Sequence, residues 1–468
     1  MNSALQSYSV IFRFIPALVF AVVGGLASAY LAPLESVNVA DQLAGFPDSH
    51  AAAHNLRPIV LSIICFIPTL GALYYGLCRS LDQYLIRQFL GAFCLCLSSL
   101  FAIWFISDLT GKVGDFRESN QALEIATQYY LASLPKVFVE FAPFGLLLAL
   151  LLCLGKLSQG QEIVSMIQTG RGVPRLIFPF IIMGLLVSLI CLGFNYRWAP
   201  WSESYREGLI EKAKEGEASQ ARNVVYYEKD HRRLWWIGSF PDNYHKGAPL
   251  QQIIVRTFDE EGKPNLRLEA ESAEWNRETT DWTFRGVNIL HLDETLDTDR
   301  SQFMPRYELN LPDVLVYQDW PETPWQLIKP GLTADSLGIP GLYSWLLAND
   351  DLQWGNKRGF LTQWHYRWAQ PGICLAIVLL AAPLGIVFSR RGTAGGIALA
   401  IFLSAGIMFS STVFLALGES GYLHPALAAW GTNIVATSIA LILIQRRLVG
   451  RPIYQTLRKF LPSSILPV

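Results

Sequence analysis

The residues best placed to do chemistry in this chain lie at 156–175, between two apolar runs. Ile163, Met166 and Ile167 recur at i, i+3 and i+4, Gly170 supplies a stop and Pro174 opens the next run. That spacing predicts a short amphipathic helix lying across one membrane face. A single acid, Glu162, stands at its start, and an apolar stripe carrying one carboxylate is a docking surface for another protein. The plainer alternative is a helix resting on lipid headgroups.

Other chemistries find little support. No Gly-x-x-x-x-Gly-Lys-Ser/Thr occurs; Gly111-Lys112 and Gly155-Lys156 lack the leading glycine and the hydroxyl, so a P-loop is excluded. Neither Gly-x-Ser-x-Gly nor His-Glu-x-x-His is present, which removes the serine-hydrolase and zincin readings. His50 and His54 share a helix face at i, i+4, but a metal needs a third or fourth ligand, and Asp41 and Asp48 of 35–57 stand at no fixed distance from them. That segment therefore reads as a solvated loop, and no metal is expected. Cys94 and Cys96 read as packing residues. Glu140 stands four residues after Lys136, the pairing distance on a helix. Near the start of an apolar run it either snorkels or faces a polar cavity between helices.

These groups are carried by a chain of 468 residues that is 51% hydrophobic and only 16% charged. Soluble domains average about 25% charged, so a cytosolic globular reading fails. Charge-free runs at 14–34, 58–78, 88–107, 176–196, 368–389 and 392–445, the last interrupted only by Glu419, are long enough to cross a membrane. The last run is two helices broken around Gly418 to Pro425, and 137–155 adds one more, which makes eight spans. With the N-terminus inside, the short inside segments hold 13 basic residues against 2 acidic, and the short outside ones 4 against 8. Both termini are then cytoplasmic. The first run has Arg13 as its only upstream charge and reads as an uncleaved anchor rather than a signal peptide.

A hydrophilic insert, 197–367, falls outside with 27 acidic and 20 basic residues, a net of −7. None of the seven cysteines lies in it, which excludes disulfide stapling. From about Asn223 the pattern alternates, as at 252–258, 266–270, 287–292 and 307–311, with turn-rich breaks at 259–265 and 276–281. This predicts a chain of hairpins forming a sandwich, a jelly roll or an open barrel. A polar helix at 201–219 precedes it, and a short helix at 335–349 leads through Trp354, Trp364 and Trp368 to the next span.

In its order of parts the chain resembles the LptF/LptG (YjgP/YjgQ) permeases, from about Leu81 to Arg447. The stretches that carry the resemblance are 81–87, 108–116, Leu134-Pro135-Lys136 with Pro143, and Leu157, Ser158, Glu162, Ile163, Val164 and Gly170. Further on they are Trp198-Ala199-Pro200, Trp368 with Pro371, Pro383-Leu384-Gly385 before Arg390-Arg391, and 423–430 with Asn433. Residues 1–80 have no counterpart, and Asp108 stands where LptG-type members carry a further lysine.

The resemblance implies an α-helical polytopic protein of the bacterial inner membrane with a periplasmic jelly-roll-like β domain between two halves of a helical core. The parts would be a two-span extension at 1–80, three shared spans at 81–196 with a coupling helix at 157–172, the β domain at 197–367, three spans at 368–447 and a cytoplasmic tail at 448–468. It implies a non-enzymatic subunit of a lipopolysaccharide exporter, paired with a sister permease, an LptB-like ATPase dimer that binds the ATP, an LptC-like bitopic protein and an LptA-like periplasmic bridge. This chain would hold no cofactor and bind no nucleic acid. Glu162, Ser158, Ile163, Met166 and Gly170 would couple to the ATPase, and Lys112, Arg117 and Lys136 would meet lipid phosphates, lysine acting as a point charge. The competing readings are a membrane-anchored periplasmic adaptor that transports nothing and an intramembrane lipid-modifying enzyme. The enzyme would need a cluster of acids or histidines that Glu140 and His424 alone do not make.

Overall fold

A computed structural model describes residues 2–43, 48–117, 121–215, 219–228, 231–241, 244, 248–259, 262–276, 279, 281–291, 306–307, 312–318, 320–328, 331–348, 354–386 and 394–448. Arg390, Arg391, most of the expected strand 307–311 and the tail from 449 lie outside them.

The N-terminal extension is a helical hairpin. Helices α1 (Asn2–Leu43) and α3 (Arg57–Leu77) pack so closely that a Cβ on Gly24 would stand 2.6 Å from the Cys65 carbonyl oxygen, and Ser28 donates to Ser62 at 2.9 Å. Small residues let membrane helices approach in this way where lipid supplies no hydrophobic drive. The expected solvated loop between them is not one. α1 runs on to Leu43 and α2 (Asp48–Asn55) follows. Buried Arg57 pairs with Glu35 through Nε at 2.7 Å and donates to Gln42 at 2.6 Å. Buried His54 meets Ser344 Oγ at 3.0 Å, and Tyr196 donates to the Ala53 carbonyl at 2.7 Å. The partners of His54 and Ala53 lie 290 and 143 residues away in sequence, so hydrophilicity alone could not reveal that the segment is packed. Next to this joint, burial and the Arg57 guanidinium push Arg197 below its ordinary range.

Helices α4 (Ser80–Arg117) and α5 (Ala122–Gln159) have 38 residues each, about 57 Å at 1.5 Å per residue against about 30 Å of hydrocarbon. Their joined ends, far from α6, therefore reach beyond a bilayer's hydrocarbon thickness, where Phe116, Ile125 and Tyr129 pack on Leu209 of α8 (Trp198–Glu215). After α5 come α6 (Glu162–Gln168) and α7 (Val173–Tyr196). Among the described residues seven helices are long and apolar enough to span, and eight if a bent pair is one span.

That pair is the expected span from Trp368, and its helix starts earlier, at Trp354. α11 (Trp354–Ala369) and α12 (Gly372–Gly385) meet at 48° around Pro371. Pro371 has no N–H to give the ladder, Ile373 N–H turns to the Gln370 carbonyl at 3.0 Å instead of Ala369, and Asn433 Nδ2 donates to the Ala369 carbonyl at 2.5 Å. Asn433 belongs to α14 (Pro425–Leu448), which follows α13 (Ala394–Glu419). α12 is almost wholly buried and is the centre of the helical core.

Between α8 and α11 the alternating segments form β1 (Ser219–Glu228), β2 (Arg233–Pro241), β3 (Leu250–Phe258), β4 (Pro264–Trp275), β5 (Trp282–His291), β6 (Arg306–Tyr307) and β7 (Val314–Tyr317). The strands pair antiparallel in chain order, with β7 sharing the edge of β5 with β6. Sequence neighbours are thus spatial neighbours, and the described strands form one antiparallel sheet between the helical halves. Trp235, Val255, Leu268 and Ile289 stand in register across four strands and are all buried. That inner face is closed by α9 (Pro324–Ile328) and α10 (Ile339–Ala348), with Leu327, Ile328, Leu342 and Trp345 joining its core.

Gly338 fixes where α10 meets the membrane core. A Cβ there would meet the Tyr196 carbonyl and lie 2.8 Å from Arg197 Cα, backbone that cannot yield. Gly338→Val is expected to destabilise the protein by about 1–3 kcal/mol, read as a lower midpoint of thermal unfolding in detergent.

Candidate functional site

Two places gather the polar residues of the helical core, one at each membrane face. At the first, α5 ends at Gln159 and the chain reverses within two residues. Gly160 N–H returns to the Lys156 carbonyl at 3.0 Å, and Gln161 takes the left-handed conformation with φ 57°. The expected helix 157–172 is thus shorter: only 162–168 is the separate helix, and Leu157 and Ser158 finish α5.

Its apolar stripe faces inward. Ile163 and Met166 are buried in the core of this same chain, so they hold α6 in place rather than offer a surface to a partner. The stripe and its acid are one observation in sequence, but packing separates them. Gln161, Ser165, Gln168, Thr169 and Gly170 form the exposed side, with Glu162 half-buried at its margin and accepting from Tyr84 Oη at 2.9 Å. Gly170 has φ +87°, which a side chain would strain. Beyond it Arg171 binds Asp82 at 2.7 Å, and Ser158 Oγ donates to the Gly385 carbonyl at 3.4 Å. The element is therefore tied to α4 at both its ends and, through the close of α5, to α12 of the second helical half.

At the other face a polar cavity of about 590 Å³ opens between α5, α7, α8, α11 and the segment 331–336. Lys136 projects into it, paired with Glu203 of α8 and 3.9 Å from Glu140. Glu140 thus faces a polar cavity between helices, the functional side of its two sequence readings. Across the cavity, Gln363 donates to Asp335 at 2.5 Å and to Glu419 at 2.6 Å, and Arg367 donates to the Asp335 carbonyl at 2.5 Å. Asn195 donates to Gln370 at 2.9 Å and joins the two halves at its floor. The lining thus carries both cations, Lys136 and Arg367, and carboxylates, Glu140, Glu203, Glu207 and Asp335.

The three expected phosphate-binding residues are not brought together. Lys112 stands five residues from the end of α4 and pairs with Asp115 at 3.5 Å, while Arg117 ends that helix exposed. Lys136 is fourteen residues into α5. At 1.5 Å per residue it sits roughly 14 Å deeper than Lys112. Asp108 does not oppose the lysines: Arg206 lies 3.8 Å from it and donates to Tyr129 Oη at 2.7 Å. Arg206, Arg367, Gln363 and Asp335 escape the sequence reading because they come from the insert and its flanks. The one available signal was Arg367 beside Trp368, a basic residue next to an interfacial aromatic.

Among the described residues no group of three or more His, Cys, Asp and Glu side chains is arranged to hold a metal. Residues 83–446 match the family described as lipopolysaccharide export system permease LptF/LptG. No curated protein matches the chain.

Proposed function

Because the chain belongs to the LptF/LptG family of lipopolysaccharide export permeases, whose members are transmembrane subunits with a separate ATPase, we propose the role of each face. α6 lies on the cytoplasmic side and receives an LptB-like ATPase dimer, with Glu162 entering a groove of that partner. The observation that carries this reading is the anchoring of α6: buried Ile163 and Met166, the Tyr84 and Asp82 contacts and the Ser158–Gly385 bond tie it to both helical halves. A displacement imposed on its exposed side is thereby passed to α4 and α12 together.

The polar cavity then lies at the periplasmic face, where Lys136 and Arg367 meet the phosphates of lipopolysaccharide drawn from the outer leaflet. Lys112 and Arg117 act farther out on α4, as a second contact on the way to the β domain. A sister permease completes the lipid path, an LptC-like protein and an LptA-like bridge receive the cargo, and both termini are cytoplasmic, in keeping with the excess of Lys and Arg in the short segments of that side. The inner face of the sheet is filled by Trp235, Trp282 and Phe284, so in this form a lipid chain passes only if α9 or α10 yields.

Affinity purification of the tagged chain in mild detergent, with mass spectrometry of what co-elutes, tests the proposal. An ABC ATPase, a second permease and lipopolysaccharide are expected. Elution of the chain alone with bulk phospholipid would favour the periplasmic adaptor. In the same preparation Lys136→Glu should cut co-eluting lipopolysaccharide about tenfold or more, since a charge-assisted contact contributes about 1.5–3 kcal/mol. Unchanged lipid would remove Lys136 from the site.

A further inference from the structure

The residues outside the family match do more than add two spans. Where their hairpin meets the shared helices it leaves an apolar groove of about 610 Å³, bounded by α1, α3, α4 and α7. We propose that this groove holds one anionic phospholipid, its acyl chains against Phe20, Ile67, Phe93 and Leu186 and its phosphate on Arg87. The inference stands on the groove itself and does not depend on what the protein exports.

The shape of the groove has a sequence cause. Pro16 and Pro68 lie in α1 and α3, and Gly71 and Gly91 remove side chains from the facing walls. A Cβ on Gly91 would meet nothing within 4 Å, so the space there is open rather than collapsed. On α3 the lining runs from Ile67 to Tyr75, about 12 Å along the axis, close to one leaflet of a hydrocarbon core about 30 Å thick. The groove begins at the α6 end of the helices, so it spans one leaflet from its surface to the midplane.

Its mouth is cationic. Arg87 is exposed on α4 and is the one charged residue of the lining. Exposed Arg13 of α1, whose backbone carbonyl faces Gly76 of α3, and exposed Arg79, which follows α3, stand at the same end. The acid nearest in sequence, Asp82, is taken by Arg171 at 2.7 Å and does not neutralise them. An arginine above an apolar slot one leaflet deep matches a phosphate above acyl chains, and guanidinium binds phosphate oxygens in bidentate geometry. A second protein helix would need an acid placed opposite Arg87 to match both parts. The lipid thus seals the seam between the extension and the shared helices.

The test uses the full chain in nanodiscs of phosphatidylcholine with about one tenth phosphatidylglycerol, followed by native mass spectrometry after release. Wild-type protein is expected to retain one phosphatidylglycerol in preference to phosphatidylcholine. Arg87→Gln should reduce that preference about fivefold, the value of about 1 kcal/mol per basic residue at an anionic surface. Gly91→Phe builds into open space and should expel both lipids while the thermal midpoint confirms folding. Equal retention in folded Gly91→Phe, no headgroup preference in the wild type, or a preference unchanged in Arg87→Gln would each overturn the proposal. So would release of the chain without lipid, or with a protein chain in the groove.

Discussion

Glu162→Arg is expected to abolish ATP-driven export while leaving the protein folded. Helix α6 is held by buried Ile163 and Met166 and by Arg171 on Asp82, none of which the substitution touches. The change removes the acceptor of Tyr84 Oη and reverses the charge at the margin of the exposed side. At a docking interface, loss of one partner of a close charge pair costs about 2–5 kcal/mol, and reversal adds repulsion. A drop of about 30-fold or more in ATPase-coupled lipid release follows. Tyr84→Phe separates the two roles of the carboxylate: it deletes only the internal hydrogen bond, about 1 kcal/mol, and should leave the bulk of transport. Reconstituted complexes assayed for ATP hydrolysis and lipid release decide it. Export by Glu162→Arg at the wild-type rate would show that the ATPase docks elsewhere.

Glu322→Ala should unfold the β domain more readily than any substitution on the outer face of its sheet. Glu322 is 1% exposed, and its Oε1 lies 2.8 Å from Arg233 Nε and accepts from Trp235 Nε1 at 3.3 Å. Its backbone carbonyl accepts from Trp282 Nε1 at 2.7 Å. Arg233 also stacks over Trp320, 4.8 Å from the ring centroid. Removing the carboxylate strands a guanidinium under the sheet, which costs about 3–5 kcal/mol. Glu322→Gln keeps the shape and an acceptor but not the charge, so it should lie between the two. Limited proteolysis of the full chain in detergent reads the effect as faster cleavage within 219–317. Equal cleavage of wild type and Glu322→Ala would mean that Arg233 finds solvent and that the ion pair carries no stability.

Much of the architecture is legible in the sequence. The eight apolar runs, the hydrophilic insert between Phe194 and Trp368 and the alternation within it each correspond to elements of the structure. These signals are local: a span needs about 20 apolar residues in a row, and a half-buried strand must alternate. Helix ends were less legible. α4 and α5 run beyond a bilayer's hydrocarbon thickness as amphipathic surfaces on α8, and their polar turns look like loop. The bend at Pro371 was visible as a proline, but not the Asn433 amide that makes the bend tolerable.

The candidate sites divide in the same way. Sequence alone determined that an acid opens a short helix between two spans, that Lys136 and Glu140 share a helix face and that no nucleotide motif is present. Only the tertiary structure decided that Ile163 and Met166 face inward, that Lys136 joins Glu203 and a cavity shared with Arg367, and that the 35–57 segment is packed through Arg57 and His54. The reason is physical. Periodicity records which face of an element avoids water, whereas an ion pair or hydrogen bond between residues 22 to 290 apart records which elements meet, and that is set by how whole helices pack.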